Sequence, residues 1–232
     1  MIYELKDLTQ FLSTINTKDI IKSKDKIYYN LAMSFDIETS SFYEDKNGVI
    51  YTNDDYRKLK NTVKADKKAI MYIWQFAIEE NVIIGRTWND FLYFCKKLYD
   101  FLNLKERYIV VYVHNLSYEF QFICKWFNWI DIFADSERKP IKATTDTHFI
   151  FKCSYRLSGY SLEVLANNLK SHNIKKMVGD LDYNLIRNSK TPISKEELKY
   201  CENDVLILCE FAEYYFNKYL SNNELIYTET SI

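Results

Sequence analysis

Apolar and polar positions alternate along the chain in runs that mark strands and helices in turn. Leu31–Ile37 is an apolar run ending in acids, which predicts a central strand. Ile70–Ile78 and Val82–Trp88 are β-rich runs parted by Glu79-Glu80-Asn81, the pattern of a hairpin. Asn89–Leu102 has helical spacing, with Asn89 in the N-cap place. Tyr108–Val113 is a further apolar strand, and a helix follows over Ser117–Phe127. Ile141–Thr145 and His148–Tyr155 predict a second hairpin near a turn at Gly159, and Ser161 caps a short helix to Leu169. The clearest element comes last: Ser194 and Glu197 form a capping box that opens a helix running to about Tyr219. Its apolar stripe is Leu198, Val205, Cys209, Ala212 and Phe216. Residues 1–30 read as an N-terminal lead-in with a helix around Leu5–Ile15, and the polar stretch 43–69 as a surface insertion. Strands in a row, then alternating helix and strand, then a closing helix give an α/β chain with a mixed central β-sheet flanked by helices.

Composition narrows this only slightly. Hydrophobic residues make up 47% of the chain, enough for a sizeable core. No apolar run approaches the roughly 20 residues of a membrane span, so no membrane is expected, and the first residues carry no signal-peptide pattern. The five cysteines are odd in number and form no CxxC pair, so they read as reduced core residues in a cytoplasmic protein. A net charge of −1 speaks against wrapping duplex DNA by its phosphates, so any grip on nucleic acid must be short and local. The 20 Tyr and 15 Phe suit either a core or a set of base-stacking faces, and composition does not separate the two.

Candidate chemistry lies in three segments. Asp36 and Glu38 are two apart on a strand and share a face. Carboxylates forced together repel unless a cation lies between them, and oxygen donors suit Mg²⁺ or Mn²⁺. Alone, such a pair is more often a solvated strand end. Tyr200 and Asp204 are four apart on the last helix, one turn above each other at the edge of its apolar stripe. Alone, they would be a half-buried Tyr and a surface Asp. His114-Asn115-Leu116-Ser117-Tyr118-Glu119 runs from a strand into a helix, a junction that collects functional side chains in α/β proteins. Its plainer reading is a strand terminator at Asn115, a cap at Ser117 and a favourable first-turn acid at Glu119. It is the combined order, spacing and element type that carries weight.

Together, Phe35–Thr39 (F-D-I-E-T), His114–Glu119 (H-N-L-S-Y-E) and Tyr200–Asp204 (Y-C-E-N-D) resemble the three motifs of DEDDy-type, DnaQ-like 3′→5′ exonucleases. With Tyr160–Leu165 (Y-S-L-E-V-L) and Gly179–Tyr183 (G-D-L-D-Y), residues 31–220 look like the exonuclease domain of the protein-primed family B DNA polymerases of small phages. The resemblance implies a ribonuclease H-like fold and two divalent metal ions, Mg²⁺ or Mn²⁺. It implies that Asp36, Glu38, Glu119 and Asp204 hold the ions, while Tyr200 orients the attacking water. It also implies that Thr39, His114, Asn115, Tyr118, Ser161, Leu162 and Tyr183 hold the frayed 3′ end of single-stranded DNA, which is shortened by nucleoside 5′-monophosphates.

The chain departs from the family pattern twice. Glu119 stands where the family usually has Asp, and Val178 where it has a lysine, with Lys175 and Lys176 just upstream. The resemblance further implies a polymerase domain in the same polypeptide, reached through residues 221–232 as a linker, and a terminal primer protein as a further partner. The expected setting is the cytoplasm, that of a host cell if the gene is a phage's. Alternatives are an exoribonuclease of the same fold and a docking module of weak activity.

Overall fold

The structure is a computed structural model that describes residues 1–18, 20–23, 25–169, 174, 176 and 185–219. Lys175, Val178, the segment Gly179–Tyr183 and the 221–232 tail lie outside the described residues. The strands are β1 (Ile2–Glu4), β2 (Ile20–Ser23), β3 (Lys26–Tyr29), β4 (Met33–Asp45), β5 (Ile50–Tyr51), β6 (Ala65–Ile78), β7 (Asn81–Gly85), β8 (Ile109–Val113), β9 (Trp129–Ser136), β10 (Lys139–Thr145) and β11 (Phe149–Cys153). The helices are α1 (Leu8–Ser13), α2 (Asn53–Leu59), α3 (Trp88–Leu102), α4 (Leu116–Ile123), α5 (Ser154–Ser158), α6 (Leu162–Asn168) and α7 (Lys195–Tyr219).

A mixed sheet runs in the order β1-β7-β6-β4-β8-β11-β10-β9, with β5 paired to β4, and β2 and β3 form a separate hairpin. Period-2 alternation decides what each face meets. Along β4, Met33, Phe35 and Ile37 enter one core, which also takes Trp74 and Phe76 of β6, Phe151 of β11, Phe91 and Phe94 of α3, and Leu116 of α4. The opposite core holds Tyr72, Tyr112 and Ile150 against Leu162 and Leu165 of α6 and Cys201, Val205 and Leu208 of α7. The sheet is thus covered by helices on both faces. Much of the aromatic content is interior: Phe35 stacks on Phe91 at 4.6 Å between centroids, and Trp74 on Phe94 at 5.6 Å. Among the described helices, none is long and apolar enough to cross a membrane.

The backbone departs from several local expectations. Helix α3 is capped by Thr87, not Asn89, because Thr87 and Asp90 exchange side-chain and backbone hydrogen bonds as a capping box. Helix α4 begins one residue before Ser117, after Asn115, whose φ of 61° is a left-handed turn that Asn tolerates. Cys124 is exposed, unlike the other four cysteines, and all five are free thiols. Within residues 1–30, Ile2–Glu4 joins the main sheet by pairing parallel to β7. Within 43–69, the antiparallel ladder of β4 and β6 continues outward to Asp45↔Ala65 and carries β5 and α2 at its tip. Strand β9, at the far sheet edge, was not expected from the pattern at all. The Ser194–Glu197 capping box is present, with Glu197 N–H donating to Ser194 Oγ at 3.1 Å and Ser194 N–H to Glu197 Oε2 at 2.9 Å.

Gly85 ends β7 beneath the Trp74 ring, where an added Cβ would come within 2.3 Å of the indole. Trp74 is fully buried and its Nε1–H donates to Thr87 O at 3.0 Å, so the ring has little room to move. Gly85→Ala is therefore expected to cost about 1–3 kcal/mol, the range for overpacking a filled core. Chemical denaturation of the variant beside the wild type measures it.

Candidate metal centre

Strands β4 and β8 run parallel but pair only at Met33↔Val111 and Ser34↔Tyr112. Beyond that point β8 ends, the chain turns at Asn115, and β4 continues unpaired on that side until β5 joins it at Tyr43 and Glu44. Clefts beyond the carboxyl ends of parallel strands are the usual place for ligands in open α/β sheets. Asp36 and Glu38 lie just past this divergence and on the face opposite Phe35 and Ile37, towards α7. Helix α7 is held there by Ser34 Oγ–H, which donates to Val205 O at 2.7 Å, and by the Cys209 thiol on Ala32 O at 3.5 Å. That anchorage places Asp204, next to Val205, over the acid pair.

Carboxylate oxygens of Asp36, Glu38 and Asp204 lie within 4.8 Å of one another. Asp36 and Glu38 are half-buried and Asp204 is buried. Glu119, from the first turn of α4, is also buried and lies at hydrogen-bonding range of the Asp36 carboxyl. The Tyr200 hydroxyl hydrogen-bonds the Asp204 carboxylate one turn along α7. Five residues from three distant segments therefore meet in one place.

The electrostatics follow from that crowding. Burial, and then the Asp204 charge, pushes Asp36 up to about 7. Burial raises Glu38 well above the carboxylate range, with Asp36 and Asp204 adding to it, and raises Glu119 likewise, with Asp36 next in weight. Burial also lifts Asp204, to about 6, against the pull of Lys176 and the Tyr200 hydrogen bond. Lys176 Nζ stands 3.9 Å from Asp204 Oδ2. Lys176, one of the two lysines upstream of Val178, thus stands at the site; Lys175 lies outside the described residues. Gln75 was not anticipated. Its Nε2–H donates to Asp36 Oδ2 at 2.9 Å from within the apolar strand β6, and a buried amide in such a run is itself the clue to a partner.

A divalent cation fits this donor set. All its donors are oxygen, as Mg²⁺ and Mn²⁺ prefer, and Asp204 Oδ1 and Glu119 Oε2 are buried without a hydrogen-bond partner among the described residues. Such orphaned oxygens are costly unless something else satisfies them.

The other residues named from the motifs divide into two groups. Thr39 Oγ1 and the Tyr118 hydroxyl hydrogen-bond each other, so β4 and α4 jointly form the lip of the site. Asn115 is exposed at the turn into α4. His114 rests on Ser154 Oγ at 3.0 Å, and burial, then Lys176, lowers it to about 4, so it is neutral at pH 7. Ser161 and Leu162 stand apart: the Ser161 hydroxyl caps α6 by accepting from Val164 N–H, and Leu162 is buried in the core facing α7. Tyr183 lies outside the described residues.

Raised carboxylate pKa values link the site to stability. Asp204 binds its proton more tightly folded (about 6) than its ordinary 3.8. Folding stability from this group is therefore greatest below about pH 4 and is lost as pH rises through about 6. Asp204→Asn imitates the protonated acid. Without divalent ions it is expected to be more stable than the wild type at pH 8 by about 3 kcal/mol, from roughly two units at 1.36 kcal/mol each. The advantage should vanish near pH 4, which denaturation at the two pH values reads directly.

No protein-family model matches the chain, and no curated protein matches it. Solved structures do. It is similar to Phi29 DNA polymerase complexed with primer-template DNA (post-translocation binary complex), with a TM-score of 0.58, 16% identity and 80% of this chain covered. It is also similar to Phi29 DNA polymerase complexed with single-stranded DNA, with a TM-score of 0.55, 19% identity and the same coverage. In both comparisons the match spans 31% of the polymerase chain. At these identities the likeness is one of fold: this chain has the fold of about a third of that polymerase.

Proposed function

We propose that this chain is a metal-dependent 3′→5′ exonuclease module of ribonuclease H-like fold, acting on the 3′ end of single-stranded or frayed DNA in company with a polymerase. The observation that carries the reading is the meeting of Asp36, Glu38, Glu119 and Asp204, with the Tyr200 hydroxyl on Asp204. Support comes from a fold shared with part of Phi29 DNA polymerase. Asp36, Glu38 and Asp204 would hold one divalent ion, and Asp36 with Glu119 a second. Bound there, such ions lower the pKa of water and neutralise charge on a phosphoryl group.

The protein's own groups supply the rest. Gln75 fixes the Asp36 carboxylate so that its remaining lone pairs face the cleft. The Tyr200 hydroxyl donates its hydrogen bond to the Asp204 carboxylate, so it serves by orienting Asp204 and a water beside it. Neutral His114 offers a hydrogen bond without adding charge. The Thr39–Tyr118 pair gives hydroxyls and an aromatic face to the sugar and base of a terminal nucleotide.

Incubation of a single strand carrying label at several positions with Mg²⁺ or Mn²⁺ should release nucleoside 5′-monophosphates stepwise from the 3′ end. Asp36→Ala and Asp204→Ala should each lower the rate by more than about 100-fold, since even groups that merely support a metal ligand cost 10–100-fold. Undiminished degradation by the double variant would remove these acids from the reaction. Metal binding has its own readout: Mn²⁺ at about 100 times its Kd should stabilise the fold by about 2.7 kcal/mol. Thermal melting with Mn²⁺ should show this rise in the wild type and lose it in Asp36→Asn/Asp204→Asn.

A further inference from the structure

Beside the acid cluster, a cleft of about 460 Å³ opens between the Glu38–Ser41 part of β4 and the tip of the β4–β6 ribbon. Of its lining, the motifs assign a role only to Glu38, Thr39 and Tyr118. Thr39, Ser41 and Tyr43 share one face of β4 by alternation. Tyr43 stacks on Tyr56 of α2, with centroids 3.8 Å apart, and Asn53 Nδ2–H reaches Ser41 O at 3.4 Å. Those contacts seat α2 on that face. Thr39 bonds Tyr118 of α4, which seats α4 on the same face nearer the acids. The cleft runs along this stretch of β4 between the two helices and is closed from the α7 side by Ser40, Tyr72 and Arg187. Glu38 stands at one end, and Lys67, across from Tyr43, at the other with Arg57.

Its charge is graded. At the far end Lys67 is exposed and makes no hydrogen bond or ion pair among the described residues. Arg57 is 78% exposed, and among the described residues its ion pair is with the rim acid Asp54, at 3.2 Å. A surface pair of this kind is worth little and yields readily to a stronger acceptor. Arg187, also lining the cleft, is held by Glu197 at 3.0 Å and forms part of its floor. The volume falls in the roughly 300–1,000 Å³ range of small-ligand sites. A path that leads from a carboxylate cluster to exposed cations, with hydroxyls and an aromatic ring along one side, suits a phosphodiester chain.

We propose that this cleft binds the sugar-phosphate backbone of the strand upstream of the scissile phosphate, with Arg57 and Lys67 as its phosphate contacts. This rests on the exonuclease reading of the adjoining acids. It makes the polar stretch 43–69 part of the substrate path and gives a chain of near-neutral net charge a short, local grip on nucleic acid.

Arg57→Gln/Lys67→Gln tests it, since both side chains are exposed and neither belongs to the metal centre. Two substrates are compared: a single-stranded decanucleotide, and the p-nitrophenyl ester of thymidine 5′-monophosphate, which has no upstream strand. The double variant should raise KM for the decanucleotide about 10-fold with kcat kept, and leave both constants unchanged for the ester. Its decanucleotide affinity should have a log–log salt slope shallower by about 1.4, two contacts at about 0.7 each. Lys67→Arg with Arg57 intact should behave as wild type. Equal losses on both substrates would place the terminal nucleotide in the cleft instead, and no loss on either would leave it without a substrate role; both overturn the proposal. Should the wild type cleave neither substrate, the exonuclease reading fails, and the cleft is judged by fluorescence anisotropy of the decanucleotide in EDTA. Weaker binding by the double variant supports the phosphate contacts; equal binding overturns them.

Discussion

Four carboxylates held together in a half-buried cleft are the feature that most constrains this structure. Each loses hydration on burial, and Asp36, Glu38 and Asp204 each raise the pKa of a neighbouring carboxyl. Local chemistry would drive them apart, so the surrounding packing must hold them. Three unrelated pieces do so: the strand pairing of β4 with β6, the seat of α7 on Ser34 and Ala32, and the turn at Asn115 that starts α4. The cores on both faces of the sheet fix these pieces independently. Binding of a cation would therefore relieve a stress that the fold creates, and the fold would in turn be stabilised by what the site binds.

The sheet is irregular where this matters. The ladder of β4 and β6 shifts register between Glu38 and Thr39, so that Tyr72 is an extra residue on β6 and lies with Ile73 on the α7 side. Such bulges bend a strand and increase its twist, and they recur beside functional sites. Here the bend coincides with the passage from the covered sheet to the free ribbon. The next residue on that face, Ser40, is pinned by Arg187 N–H donating to its Oγ at 3.0 Å. Arg86 secures the same loop through Asn188 O and Thr191 O, so the approach to α7 is tied to β4 and β7 before the helix begins.

How much of this was legible in the sequence depended on how local its cause was. A two-residue period is enough to put Asp36 and Glu38 on one face, and a capping box written in Ser194 and Glu197 is enough to start α7. The Thr87–Asp90 box is equally local, but Asn89 competes for the same reading, and only the hydrogen bonds decide between them. Strand β9 could not be read because its partner supplies the order. Almost all of Trp129–Ser136 is exposed, with Ile130, Ile132 and Phe133 among the outward residues, so no buried alternation marks it. The outer halves of β4 and β6 are polar for a similar reason, since they pair with each other beyond the core. The Ser161 cap of α6 is local and was read from the sequence, whereas the burial of Leu162 against α7 is tertiary. Gln75 and Lys176 reach the acids through tertiary contacts that no spacing records.

Glu119 shows why a longer side chain can stand where the resembling family usually has Asp. Its helix, α4, packs with the layer of α1 and α3, whereas Asp204 comes from α7 on the opposite layer. The two acids thus approach Asp36 from opposite faces of the sheet, and they can meet only where β4 and β8 have parted. On the α7 side the distance is closed by direct backbone anchorage at Val205. On the α4 side the ties to β4 are made by side chains: Thr39–Tyr118 at the lip, and Glu119 itself against the Asp36 carboxyl. The Glu119 carboxylate, one methylene longer than an Asp, reaches the Asp36 carboxyl from this position of α4. The position of the helix and the length of the acid are therefore coupled, and shortening one would require the other to move.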